Sequence, residues 1–164
     1  MMKLVWYVFV TLVATLAWAS QSIAENYSVQ PVGRVLKSHD KTVLEVFPSF
    51  KDGLRGLDGF SHVWVFYWFD RNDSPEKRAI LEVHPHGDKA IPLMGVFATR
   101  SPNRPNLIGL SICKIKSVDQ SGVTVDGIDA FDGSPIIDLK PYRPANDCVP
   151  DASVPEWAKR LQPR

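Results

Sequence analysis

Arg100, Asn103, Arg104 and Asn106 stand within seven residues, inside the stretch GVFATRSPNRPNLIGLS at residues 95–111. Arginine presents a planar fork of donors that matches a carboxylate or a phosphate two bonds at a time. Pro102 and Pro105 punctuate the stretch. Each proline fixes its own φ and holds the residue before it extended. A loop stiffened in this way aims guanidinium groups at one point, which is the chemistry of an anion clamp. Apolar runs flank it: residues 95–98 read as a short buried strand, and a second strand starts at Ile108.

Three further clusters carry polar chemistry. Asp126, Asp129 and Asp132 alternate with Gly127 and Gly133 in DGIDAFDGSP. Carboxylates so placed either hold ribose hydroxyls or an amino group, or bond their own backbone in a surface turn. The glutamate that closes an EF-hand is missing, so calcium is not indicated. The run DLKPYRP places Lys140 and Tyr142 beside two prolines. Tyr142 there either stacks on a base or ends a strand. His84 and His86 form an H-x-H pair. A metal needs three or four ligands, and no cysteine stands near, so a solvated loop is expected and no metal. Gly53, Gly56 and Gly59 read as a turn-rich connection, from which Arg55 could still reach a site.

The elements that must position these groups are mostly strands. Strand patterns cover residues 32–36, 42–47, 62–69, 79–83, 109–118, 123–126 and 136–139. The run HVWVFYWF at 62–69 is almost wholly apolar, which predicts a strand buried on both faces or one that also makes a subunit contact. Residues 49–57 have room for a turn or two of helix. A last short helix follows Ser153, where Ser-Val-Pro-Glu has the form of a capping box. Thirteen prolines and ten glycines in 164 residues favour turns over long helices. The expectation is a mainly β fold, a small barrel with short peripheral helices.

Composition narrows the function. Lys3 precedes an uncharged run over residues 4–19, and Ser22-Ile23-Ala24 offers small residues for cleavage. This is the pattern of a signal peptide over residues 1–24, leaving a barrel domain at 25–164; an uncleaved anchor is the other reading. The leader predicts an exported or periplasmic protein with no stable membrane partner after cleavage, or a cytoplasmic one if translation starts elsewhere. Without the leader, 18 basic residues balance 18 acidic ones. Binding of nucleic acid by bulk charge is therefore not indicated. Cys113 and Cys148 permit one disulfide in an exported protein; a buried free thiol at Cys113 is the simpler reading. Rossmann, Walker, nucleophile-elbow and zinc-protease motifs are absent from the sequence.

RGLDGFSHVWVFYWFD at 55–70, GVFATRSPNRPNLIGLS and DGIDAFDGSPIIDLKPY at 126–142 resemble, in this order and spacing, the TsaA-like (TrmO) family. The resemblance covers residues 31–157. It implies a small β-barrel that forms a homodimer, binds S-adenosyl-L-methionine and methylates threonylcarbamoyl-adenosine of tRNA. It further implies cofactor contacts at Asp70, Arg71, Arg100, Leu110, Asp129, Ala130, Phe131 and Asp132. Arg104, Asn106, Lys140 and Tyr142 become the expected substrate contacts. No general base is identified. The family's RPNPIG reads RPNLIG here, with Leu107 in place of a proline. The alternative is an exported barrel of this type that binds a small or nucleoside-like ligand without catalysis.

Overall fold

The computed structural model describes residues 27–161. The expected leader lies outside them. Six of eight strands close into a barrel, and every neighbouring pair within it is antiparallel. In chain order the strands are β1 (Gly33–Lys37), β2 (Thr42–Val46), β3 (His62–Trp68), β4 (Glu82–Val83), β5 (Met94–Gly95), β6 (Ile108–Asp119), β7 (Gly122–Val125) and β8 (Pro135–Pro141). The barrel runs β1–β2–β7–β6–β3–β8, and β4 pairs with β5 in a ribbon of its own. Closure pairs each barrel strand on both sides and removes the exposed edges that an open sheet would offer.

Side chains alternate across each strand, and the alternation makes the core. Val35, Leu44, Val63, Val65, Val123 and Ile136 are completely buried inside. Each such side chain contributes about 1.5–3 kcal/mol on leaving water. HVWVFYWF is not buried on both faces. Val63, Val65 and Tyr67 point inward, while His62, Trp64, Phe66 and Trp68 stay half-exposed outside. A register shift between Phe66 and Tyr67 moves the β8 partner from Asp138 to Ile136. This bulge returns Ile136 to the interior and carries Ser134 with it; both are buried.

Tyr67 lies opposite Gly109. A Cβ built on Gly109 would come within 2.5 Å of the Tyr67 ring. The glycine is therefore a steric requirement of the ring. Leu107, which departs from the motif that the sequence resembles, is completely buried. Its carbonyl accepts from Phe69 N at 2.8 Å and so anchors the chain leaving β3.

Several expectations are corrected. Residues 95–98 are not one buried strand. Strand β5 ends at Gly95, and Val96–Ala98 is a 3-10 turn that leaves Phe97 82% exposed. The strand expected over 79–83 shrinks to β4, because the one-turn helix α1 (Pro75–Arg78), capped by Ser74, ends only at Ala79. Residues 48–54 form 3-10 helix. A second one-turn helix, α2 (Pro144–Asp147), follows β8, and α3 (Glu156–Lys159) ends the described chain. The cap of α3 is Pro155, without a side-chain bond, so Ser153 forms no capping box. Cys113 and Cys148 are both free thiols, one buried and one exposed.

Two measurements check this packing. Gly109→Ala is expected to lower stability by about 1–3 kcal/mol in urea unfolding. Gly53→Ala is the control, since nothing lies within 4 Å of its Cβ position. Burial pushes the Cys113 thiol up to about 11. At pH 8 a thiol reagent is therefore expected to modify Cys148 at once and Cys113 only after unfolding.

Candidate functional site

A cleft of about 960 Å³ opens at one end of the barrel. Four separated segments build its walls: residues 67–72 leaving β3, the loop at 83–87, the loop at 97–103, and residues 129–134 before β8. Trp157, Ala158 and Leu161 complete the lining.

The floor is Tyr67. Its ring rests on Gly109 and meets Phe69 edge-on, with centroids 5.4 Å apart. Burial pushes its hydroxyl above the usual phenol range, against the opposing effect of a hydrogen bond with Ser111. The Asp129 carboxylate adds to the rise, and the Arg100 guanidinium lowers it. Both charges thus act on the ring that forms the floor.

The first wall is a turn braced from behind. Asp73 accepts from Trp68 Nε1 at 2.9 Å and from Arg78 Nε at 2.9 Å. The Arg78 bond, and then the Trp68 bond, holds its carboxyl below the usual range. Arg78 also donates to the Pro105 carbonyl at 3.0 Å, and Lys77 to the Arg71 carbonyl at 2.9 Å. With its backbone fixed, Arg71 lays its guanidinium 3.9 Å from the centre of the Phe131 ring. Asp70 accepts from the buried Ser134 hydroxyl at 3.0 Å. That bond joins the first wall to the aspartate loop, and it depends on the β8 bulge.

The arginine loop is braced from within. Arg104 donates to the carbonyls of Val96 at 3.1 Å and Thr99 at 3.3 Å. Thr99 Oγ1 receives from Ser101 N, and Ser101 Oγ from Asn103 N. Asn72 Nδ2 donates to Asn103 Oδ1 at 2.7 Å and ties this loop to the first wall. Arg104 is thus the brace and Arg100 the exposed fork. No hydrogen bond or salt bridge among the described residues engages the Arg100 guanidinium or the Asp129 carboxylate. A cleft with an unpaired cation and an unpaired anion in its walls suits a ligand that carries both a carboxylate and an ammonium group.

Of the expected cofactor contacts, Asp70, Arg71, Arg100, Asp129, Ala130 and Phe131 line this cleft. The remaining expected contacts are placed elsewhere. Leu110 follows Gly109 and so points to the outside of the barrel, opposite Phe66. Asp132 turns back to accept from Lys37 N at 2.8 Å. Arg104 is committed to its own loop, and Asn106 is exposed beyond the lining. Lys140 pairs with Asp138 at 2.7 Å on the outer face. Tyr142 packs there against Trp64 and His62. Neighbours in sequence have been sent to opposite faces of the strands. Arg55 also lies away from the cleft, beside Lys51 and Val118.

Sequence reasoning missed Tyr67 and Trp157, and it read His84 and His86 as a solvated loop, whereas all four line the cleft. The valine–aromatic alternation of HVWVFYWF was the available signal for Tyr67. His84 Nδ1 lies 2.8 Å from the Ile91 carbonyl, which fixes the ring. His86 has φ 56, the left-handed region that a residue with a Cβ seldom adopts. Among the described residues no group of three or more His, Cys, Asp or Glu is placed to hold a metal.

Comparisons with known proteins agree with this architecture. A probable S-adenosyl-L-methionine-binding protein of Methanocaldococcus jannaschii is 47% identical over 122 residues, 74% of this chain and 97% of that one. A tRNA (adenine(37)-N6)-methyltransferase of Mus musculus is 38% identical over 124 residues, 71% of this chain and 27% of that one. The crystal structure of TrmO from Pseudomonas aeruginosa superimposes with a TM-score of 0.61 at 30% identity, over 79% of this chain and 61% of that one. The chain therefore spans about three fifths of that TrmO and about a quarter of the mouse enzyme. The family model of the tRNA-methyltransferase O N-terminal domain matches residues 21–148, and the barrel, the cleft and its arginine loop all fall within a chain that belongs to this family.

Proposed function

We propose that the cleft binds S-adenosyl-L-methionine and that the protein transfers its methyl group to the adenine of threonylcarbamoyl-adenosine in tRNA. The convergence of Arg100 and Asp129, unpaired among the described residues, on one cleft carries this reading. The amino-acid end of S-adenosyl-L-methionine has both charges that these groups complement. Arg100 takes the carboxylate, and Asp129 takes the ammonium group. Arg71 is stacked on Phe131 and gives the opposite wall a second cation. The names of the relatives from Methanocaldococcus jannaschii and mouse support the cofactor and the acceptor respectively.

When bound, the cofactor supplies a methyl group already activated by its sulfonium, so it carries the hard chemistry. The protein's task is alignment and exclusion of water. Tyr67 and Phe69 form an aromatic floor, and the braced loop fixes the backbone from which Arg100 projects. A neutral body fits an acceptor recognised locally rather than held by bulk charge.

The outer face of β3 and β6 is the proposed contact of a homodimer. Trp64, Phe66 and Trp68 stand opposite Ile112, Leu110 and Ile108. Ile112 is 45% exposed and Ile108 38%, so an apolar stripe faces outward. A second copy of the chain covers it with an identical stripe. Lys140 and Tyr142 border this face, so dimerisation brings them into an interface.

A second reading rests on the leader at residues 1–24. If it directs export, the same barrel serves outside the cytoplasm as a binder of a small or nucleoside-like ligand.

Calorimetry with S-adenosyl-L-methionine is expected to show one site per chain. Arg100→Ala is expected to weaken binding about ten- to a hundred-fold, the worth of a charge-assisted hydrogen bond. Equal affinity in wild type and variant contradicts the assignment. Methyl transfer from labelled cofactor to tRNA bearing threonylcarbamoyl-adenosine tests the acceptor; binding without transfer favours the second reading. Ile112→Glu is expected to convert a dimer to a monomer in light scattering, and a wild-type monomer contradicts the proposed contact.

A further inference from the structure

Residues 149–161 follow the stretch at 21–148 that the family model matches, and they supply one side of the cleft. Among the described residues, the hydrogen bonds of this segment all run within it. Ala152 N reaches Val149 O at 3.1 Å, Ala158 N reaches Pro155 O at 2.9 Å, and Leu161 N reaches Ala158 O at 3.1 Å. Lys159 pairs with Glu156. Among the described residues, no hydrogen bond or salt bridge joins the segment to the barrel. Its helix, α3, has four residues, far too few to be stable alone. What docks it is apolar contact: Trp157 and Leu161 are half-buried against the cleft while Lys159 and Arg160 are exposed.

The other aromatic groups of the cleft are differently engaged. Arg71 covers the Phe131 ring, and Phe69 packs edge-on to Tyr67. Phe97 projects into solvent from the arginine loop. Trp157 has the largest π surface in the lining, and it stands on a segment that can move without breaking a bond to the barrel. A face of that kind receives a planar heteroaromatic ring by stacking.

We propose that residues 149–161 are a strap that closes the cleft on its ligand, with Trp157 as the wall that receives the ligand's planar base. This rests on the reading of the cleft as a site for S-adenosyl-L-methionine, whose adenine is the base in question. The strap completes the site from outside the barrel. It opens to admit the ligand, because only apolar packing holds it, and the ligand's ring adds to that packing once bound.

The test uses the full chain with S-adenosyl-L-methionine as the probe. In calorimetry, Trp157→Ala is expected to weaken binding about ten-fold. Trp157→Phe, which keeps an aromatic face, is expected to stay within about three-fold of wild type. Thermal melting is expected to match wild type in Trp157→Phe and to fall only slightly in Trp157→Ala, which loses the apolar contact of a half-buried ring and leaves the barrel core intact. In limited trypsin digestion the ligand is expected to slow cleavage after Lys159 and Arg160 in wild type and not in Trp157→Ala. Unchanged affinity in Trp157→Ala overturns the strap and leaves the cofactor reading in place. Tighter binding in Trp157→Ala overturns it too, since the tryptophan would then be a plug. Absence of binding in wild type overturns the cofactor reading and the strap with it.

Discussion

The Tyr67 ring pressed on the backbone of Gly109 is the contact on which core and cleft both depend. Tyr67 belongs to the buried core, with Val63 and Val65 on the same strand. It also lines the floor of the cleft. A side chain larger than hydrogen at position 109 would displace the ring, and with it the Phe69 edge contact and the turn that follows. The same strand position fixes where the β8 bulge falls, because Tyr67 pairs with Ile136 just after the register shift. Ser134 and its bond to Asp70 follow from that shift. The site is thus an extension of the barrel's packing rather than a set of loops laid over it.

Charge in the cleft is arranged by what the barrel leaves unpaired. Asp73 and Arg78 neutralise one another behind the first wall, and Arg104 is consumed by carbonyls of its own loop. Those bonds are structural, and they hold Arg71 and Arg100 outward. A rigid loop with a spare guanidinium is more selective than a flexible one, since less ordering is required when an anion binds. Asp129 in the same cleft makes the site favourable for a zwitterion and poorer for a bare anion.

Much of the barrel was legible in the sequence because β-branched residues alternate with turn signals. Six barrel strands follow the patterns at 32–36, 42–47, 62–69, 109–118, 123–126 and 136–139 with small changes of boundary. The failures have physical causes. Apolar residues at 79–83 and 95–98 are too short for periodicity to separate strand from turn, and Pro75 with Ser74 starts a helical turn instead. The lining of the cleft was legible where a motif marks a loop, as for Arg100 and Asp129. It was illegible where strand facing decides. Leu110 and Tyr142 belong to the motifs yet point outward, and Tyr67 points into the cleft from a run that reads as uniformly apolar. Trp157 reaches the cleft across 26 residues of chain from Phe131, a proximity no local pattern encodes.

A crystal structure of the full chain grown with S-adenosyl-L-methionine tests the central claim most directly. The account predicts the ligand above Tyr67, with its carboxylate within hydrogen-bond distance of Arg100 and its ammonium group within hydrogen-bond distance of Asp129. Ligand density on another face of the barrel, or in the cleft with Arg100 and Asp129 both turned away from it, would contradict the account.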